Sequence, residues 1–390
     1  MTGPLDGIRV LDFTSVVMGP YATQLLGDLG ADVISVEDPK GDTNRAMGLG
    51  PDPMMSGVAM NLLRNKRNVC LDLKCDGARS AFLAIAATCD VMVTNLRPGP
   101  LGRLGLTYDD VRPVRPDIVF CQAHGWPSDS ADADRPAYDD IVQTATGVAD
   151  TFLISGGVPL MAPTILADKV SGLTILYSVI AALFHRERSG EGQFIEVPMV
   201  DAVGSFVLCE HAAGATTVPP SAPAGYPRIL TPNRRPHQTT DGWIAILPYS
   251  DQHFRDLLTA GGQAAVMDDP RMGSRRSRIM NADYAYEVVR EIVKHRSTTE
   301  WVVFCDQHDI PANPVITLDE MVEALPIAEH DRFGPYRQIG PAARFSATPS
   351  SVRRQAPMLG QHDDEVLREV GLDNGAIARL RRSGALRSPA

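Results

Sequence analysis

The chain has 390 residues, 44% of them hydrophobic and 22% charged, with a formal net charge of −10. That length allows two domains and a sizeable core, and the composition is that of an ordinary globular protein. The acidic balance excludes any global affinity for nucleic acid or anionic membrane, so an anionic ligand has to meet a local basic cluster. Met1–Asp6 has no basic segment followed by an apolar run, so no leader is expected. The apolar stretch Val170–Phe184 is too short to span a bilayer and contains Ser171, Gly172, Thr174 and Ser178. Cys70, Cys75, Cys89, Cys121, Cys209 and Cys305 follow no zinc or redox spacing, and the nine histidines form no metal motif. No metal is expected, and free thiols point to a cytoplasmic protein.

In chain order, Ile8–Phe13 reads as a strand, Tyr21–Leu29 as a helix opened by Gly19-Pro20, and Ala31–Glu37 as a second strand. This strand–helix–strand unit predicts a parallel sheet with a right-handed crossover. G-x-G-x-x-G is absent, which disfavours a nicotinamide enzyme. The alternation continues with strands at Val69–Leu73, Asp90–Thr94, Asp117–Gln122 and Phe194–Val197. Helices are expected at Ala78–Thr88, Asp139–Val148 and Met199–His211. Together these predict a doubly wound, Rossmann-like α/β domain over residues 1–213.

Residues 214–236 are Pro-rich and read as a linker. A smaller α/β domain is expected over 237–335. It has a turn at Thr240–Trp243, a strand at Ile244–Leu247 and helices at His253–Ala260, Tyr284–Lys294 and Thr299–Gln307. The Pro-rich stretch Ile310–Val315 ends its core. Residues 336–390 are a C-terminal return segment with a helix at Asp363–Val370, and Arg379–Ala390 is expected to fray.

One position carries chemistry of its own. Asp168 opens a long apolar helix, where unpaired N–H groups and the positive dipole end favour an ionised carboxylate. An ionised carboxylate is the form that attacks a carbonyl. Position alone fits an N-cap better than a nucleophile.

The blocks Leu5–Phe13, Gly19–Ala22, Leu29–Ile34, Asn65–Val69, Leu71–Lys74, Asn95–Gly99, Arg103–Leu106, Tyr138-Asp139, Gly190–Gln193 and Met199–Ala202 follow one another over nearly the whole chain. In order and spacing the chain resembles the class III (CaiB/BaiF-type) coenzyme A transferases, the family of formyl-CoA and carnitine CoA transferases. The resemblance implies an acyl-CoA:carboxylate CoA-transferase with Asp168 as nucleophile, working through mixed anhydrides and an aspartyl-CoA thioester. It implies no permanently bound cofactor. Coenzyme A and acyl-CoA enter as substrates, with a small carboxylic acid as acceptor. Val16, Met18, Lys74, Asn95, Leu96, Arg97, Arg103 and Met199 match positions that hold CoA, and Val17, Tyr138 and Asp139 match the substrate pocket. Lys66 and Arg67 add charge nearby.

Ser35 and Asp38 stand where many relatives have basic residues, with Lys40 as a compensating charge. Val17 replaces a glutamine of formyl-CoA transferase. The α-methylacyl-CoA racemases share the fold and the aspartate, but their Gly-His-Asp block reads Ala137-Tyr138-Asp139 here, and His124 lies outside the matching position. Transferase is therefore preferred to racemase, and to a non-catalytic CoA-binding protein. The resemblance further implies a homodimer of interlaced chains.

Overall fold

The computed structural model describes residues 3–386. The first half of the chain lays down β1 (Arg9–Phe13), α1 (Met18–Asp28), β2 (Asp32–Glu37), α2 (Gly57–Leu62), β3 (Lys66–Cys70), α3 (Ala78–Ala86), β4 (Val91–Thr94), α4 (Pro98–Leu104), α5 (Tyr108–Val111), β5 (Val119–His124), α6 (Asp139–Ala145), α7 (Val148–Gly156), α8 (Leu166–Ser189), β6 (Phe194–Pro198) and α9 (Met199–His211). The second half adds β7 (His237–Gln238), β8 (Trp243–Ile246), α10 (Asp251–Ala260), α11 (Arg275–Met280), α12 (Ala282–Val293), α13 (Thr298–Gln307), β9 (Ala312–Pro314), α14 (Leu318–Glu323), β10 (Ile327–His330), β11 (Gly334–Arg337), α15 (Asp363–Glu369) and α16 (Asn374–Arg382).

Two compact units result. The first gathers residues 1–146, 163–206 and 326–390, and the second 147–162 and 207–325. Along the sequence, the reading above drew its borders at 213 and 335.

In the first unit six parallel strands stand in the order β3-β2-β1-β4-β5-β6. This is the doubly wound order, which reverses between β1 and β4. Near-continuous apolar runs such as Val10-Leu11 and Val91-Met92-Val93 suit strands covered on both faces. On one face, Leu11, Ile34, Val69, Met92 and Phe120 pack with Phe82 and Ile85 of α3 and with Val366, Leu367, Ile377 and Leu380 near the C-terminus.

The C-terminal segment corrects one expectation. Arg379–Arg382 is the last turn of α16, and Ala385 and Leu386 are buried, with a bridge from Leu386 to Leu71. Ala385 and Leu386 lie against Leu71 and Asp72, just past the end of β3. The rest of that stretch, residues 387–390, lies outside the described residues.

β3 begins at Lys66 rather than at Val69. A lysine and an arginine open a buried strand because each has acidic partners, which an apolar pattern does not reveal.

The helix α8 also exceeds its expected length. Its 24 residues are long and apolar enough to cross a membrane. In this fold it is a core helix: it packs on α1, α6, β5 and β6, burying Ala167, Asp168, Ser171, Gly172, Ile175 and Val179.

The second unit holds the antiparallel sheet β7-β8-β9, with α10, α12 and α13 enclosing Ile244, Ile246, Leu257, Val289, Ile292 and Trp301. The turn expected at Thr240–Trp243 joins β7 to β8. The Pro-rich stretch at Ile310 contributes the edge strand β9, where Pro314 is tolerated.

Candidate active site

Ligands of doubly wound sheets bind outside the carboxyl ends of the strands, where the strand order reverses. Here the chain leaving β1 (Ser15, Val16) faces the chain leaving β4 (Asn95, Leu96, Arg97). The Asn95 side chain ties them together: its Oδ1 accepts from Ser15 N at 2.9 Å and its Nδ2 donates to Ser15 O at 2.8 Å. Beside this clamp lies a cleft of ≈ 880 Å³, lined by those residues with Met18, Pro100, His124, Gly125, Pro136, Ala137, Tyr138, Asp168 and Met199.

Asp168 reaches the cleft because α8 crosses α1 closely. Gly172 allows this, since a Cβ there would lie 2.8 Å from Met18 O. Ile165 is the N-cap of α8, so Asp168 is the third helical residue and not the cap. Its carboxylate is nearly buried (8% exposed).

The electrostatics differ from the expectation. Burial, and then the charge of Asp139, push the Asp168 pKa up from 3.8 to about 7. The helix start therefore does not hold the acid ionised, because burial outweighs it and Asp139 adds a like charge. Asp139 Oδ1 accepts from the Asp168 backbone N–H at 3.1 Å, and its other oxygen accepts from Gln143 Nε2. The Asp168 N–H is thereby spent on a side chain and is not free to stabilise an oxyanion.

Val16 has φ +69°, an uncommon conformation for a β-branched residue. It is held there by Asp42, whose carboxylate accepts from Val16 N at 3.1 Å, and by Asn44 Nδ2, 3.3 Å from Val16 O. Burial, with Glu37 nearby, raises the Asp42 pKa to about 6, against the lowering effect of hydrogen bonds from Asn44 and Val16.

Of the residues singled out in the sequence, the structure brings Val16, Met18, Asn95, Leu96, Arg97, Tyr138, Asp168 and Met199 to this cleft. Asp139 stands behind Asp168. Val17 is buried as the N-cap of α1 and is not among the lining residues. Lys74 and Arg103 are exposed and do not line the cleft.

Lys66 and Arg67 are not free charges for a phosphate. Lys66 is fully buried, with its Nζ on Asp12 (2.8 Å), Thr23 and Pro20 O. Arg67 is consumed by Asp32, Glu365 and Glu369. Ser35 is buried and accepts from Asn68, whereas Asp38 and Lys40 are exposed.

Sequence reasoning set His124 aside, yet it lines the same cleft as Asp168. Its Nε2 lies 3.1 Å from Glu196 Oε1, out of line for a good hydrogen bond. Burial lowers its pKa despite that neighbour, so the imidazole is neutral at pH 7. The end of β5 lies beside the switch point, and that topological signal would have found it.

Fold and cleft together define a doubly wound α/β protein that presents a nearly buried carboxylate where such folds bind ligands. A model of CoA-transferase family III matches residues 5–363, and the chain belongs to that family and is a transferase enzyme. CoA thioesters are therefore its substrate class.

The chain is 29% identical to the succinyl-CoA:glutarate CoA-transferase of Mus musculus, over 98% of this chain and 90% of the relative. It is 28% identical to the formyl-CoA:oxalate CoA-transferase of Afipia carboxidovorans, over 99% and 98%. The crystal structure of a CaiB/BaiF family protein from Brucella suis shares the fold, with a TM-score of 0.79 at 24% identity over 95% of this chain and 100% of that one.

Proposed function

We propose that the enzyme moves CoA from an acyl-CoA donor to a small carboxylic acid through covalent intermediates on Asp168. A carboxylate oxygen of Asp168 attacks the thioester carbonyl carbon, the C–S bond breaks, and CoA leaves as a thiolate. The product is a mixed anhydride. The thiolate attacks the Asp168 carbonyl carbon, expels the donor acid as carboxylate and leaves an aspartyl-CoA thioester. The acceptor carboxylate then runs the sequence in reverse, which restores Asp168 and gives the new acyl-CoA. Each step breaks one acyl bond and makes another, which splits one hard exchange into easier ones. No net proton is consumed.

The observation that carries this reading is Asp168 itself, a nearly buried carboxylate in the switch-point cleft. Burial removes the water that would hydrolyse an activated aspartate and strengthens the nucleophile once it is ionised. Arg97, the one lysine or arginine lining the cleft among the described residues, fits a CoA phosphate or an acceptor carboxylate. Mass spectrometry of a panel of acyl-CoA donors against free acids tests the reading. Exchange of CoA between acids supports it, and hydrolysis or no turnover across the panel refutes it.

A second reading has one observation in its favour. His124, neutral and lining the same cleft as Asp168, is a candidate base for an α-proton. The same panel run in D2O decides: deuterium at the α-carbon without exchange of acids means epimerase chemistry.

We also propose a homodimer, with interlaced chains. Along α8, Leu173, Tyr177 and Phe184 are 46%, 63% and 64% exposed, and with Ala181 they form a stripe at helical spacing. Such a stripe calls for a cover, and a second copy of the chain supplies one. An interlaced dimer stays dimeric in sedimentation at nanomolar concentration until it unfolds. A folded monomer there excludes it. The six free cysteines agree with a cytoplasmic setting.

A further inference from the structure

The second unit contains a cavity that the transfer chemistry does not use. Counted out to the solvent at its mouth, its open space is ≈ 520 Å³. Its floor is apolar, built by Phe254, Ile279, Ala282, Ala285 and Val289. Three arginines border it, in a protein whose net charge is −10.

Their situations differ. Arg278 is buried and neutralised: it pairs with Asp251, donates to Met272 O at 2.6 Å and covers the Phe254 ring at 4.6 Å. Arg228 and Arg275 have no acidic partner within ion-pair distance among the described residues. Both lie over the same ring, with guanidinium carbons 5.6 Å and 4.5 Å from the Tyr249 centroid, and Arg275 also donates to the Tyr249 hydroxyl. Two like charges held near one aromatic ring, beside an apolar cavity floor, are complementary to an anion that carries an apolar body.

We propose that this cavity is a second binding site, distinct from the Asp168 cleft, for a small organic carboxylate with an aliphatic or aromatic body. The carboxylate is held by the forked donors of Arg228 and Arg275, and the apolar body enters against Phe254 and Ile279. A bare phosphate satisfies the arginines and leaves the floor empty. A neutral alcohol of equal length fills the floor and leaves the arginines unpaired. Neither matches both halves of the site.

The test uses the full-length Asp168→Ala protein labelled with 3-fluorotyrosine, with Tyr249 and Tyr286 signals assigned by Tyr→Phe variants. Titration with hexanoate, hexan-1-ol and inorganic phosphate is followed by ¹⁹F NMR. Hexanoate is expected to shift the Tyr249 and Tyr286 signals saturably, with binding at least about tenfold tighter than either control. R228Q/R275Q is expected to lose that preference, and R275K, which keeps the charge but not the fork, to fall between. Equal binding of hexan-1-ol (an apolar groove only), equal binding of phosphate (an anion patch only), no shift at either tyrosine (a cavity already covered), or an unaltered R228Q/R275Q each overturns the proposal.

Discussion

Two groups of buried charge lie in the first unit, and they are built on opposite rules. Below β1–β3 three buried cations each meet a buried carboxylate. Lys66 meets Asp12, Arg45 meets Glu37 through two nitrogens, and Arg64 meets Asp28, all with side chains 7% exposed or less. At the cleft, Asp168 is also nearly buried, yet the charge that perturbs it most is another carboxylate, Asp139. Paired charges hold the frame rigid. The unpaired one sits in an environment that resists its ionisation, and on the route proposed for Asp168 that disadvantage is released when the carboxylate becomes a neutral acyl derivative. The two kinds of carboxylate are thus separated by their partners and not by their burial.

Asp168→Ala gives the largest effect. Transfer is expected to fall at least about 10³-fold because the covalent route is lost. Circular dichroism stays close to wild type, and thermal unfolding at neutral pH is not lowered, since the buried acid resists ionisation and contributes no stability there. Retained transfer would place the nucleophile elsewhere.

Lys66→Met breaks the opposite rule. It leaves Asp12 buried without a cation, and urea unfolding is expected to show a loss of roughly 3–5 kcal/mol. A change below about 1 kcal/mol, the range of exposed pairs, would mean that Asp12 finds water.

Asp168→Asn sharpens the comparison through pH. The folded pKa of Asp168, about 7, lies above its unfolded value near 3.8. The wild type therefore has its full stability, as far as this group goes, below pH 3.8, and loses it as pH rises through 7. The asparagine variant lacks that loss. It is expected to match wild type near pH 4 and to exceed it at pH 8, by at most roughly 4 kcal/mol. Identical curves at both pH values would show that Asp168 ionises freely. The same shift predicts that kcat/KM of the wild type falls as pH drops below about 7, as Asp168 protonates.

Arg97→Ala gives the smallest effect. The KM for acyl-CoA is expected to rise about tenfold, as for one charge-assisted hydrogen bond. Lys74→Ala and Arg103→Ala, outside the cleft, change it less than about twofold. The reverse ranking would mean that the CoA phosphates lie beyond the cleft walls.

The alternation of strands and helices was legible because each strand carries its own apolar run and each helix its own punctuation. Met199–His211 was even bounded correctly, with Pro198 before it. β3 was not, because the partners that let Lys66 and Arg67 enter the core come from Asp12, Asp32, Glu365 and Glu369, residues up to 302 positions away. Asp168 was found by its place at a helix start, but the sign of its perturbation was not. That sign comes first from burial under the packed helices and then from Asp139, 29 residues upstream, which accepts from the Asp168 N–H. His124 was missed for the same reason: only the sheet order puts the end of β5 beside the β1–β4 crevice.

The most direct test of the central claim is chemical trapping. The protein is incubated with an acyl-CoA that it turns over, quenched with neutral hydroxylamine, digested and mapped by mass spectrometry. The account predicts a hydroxamate on the peptide containing Asp168, formed only when acyl-CoA is present and absent from Asp168→Ala. Turnover with no modified peptide, or a hydroxamate on another acidic residue, would contradict it.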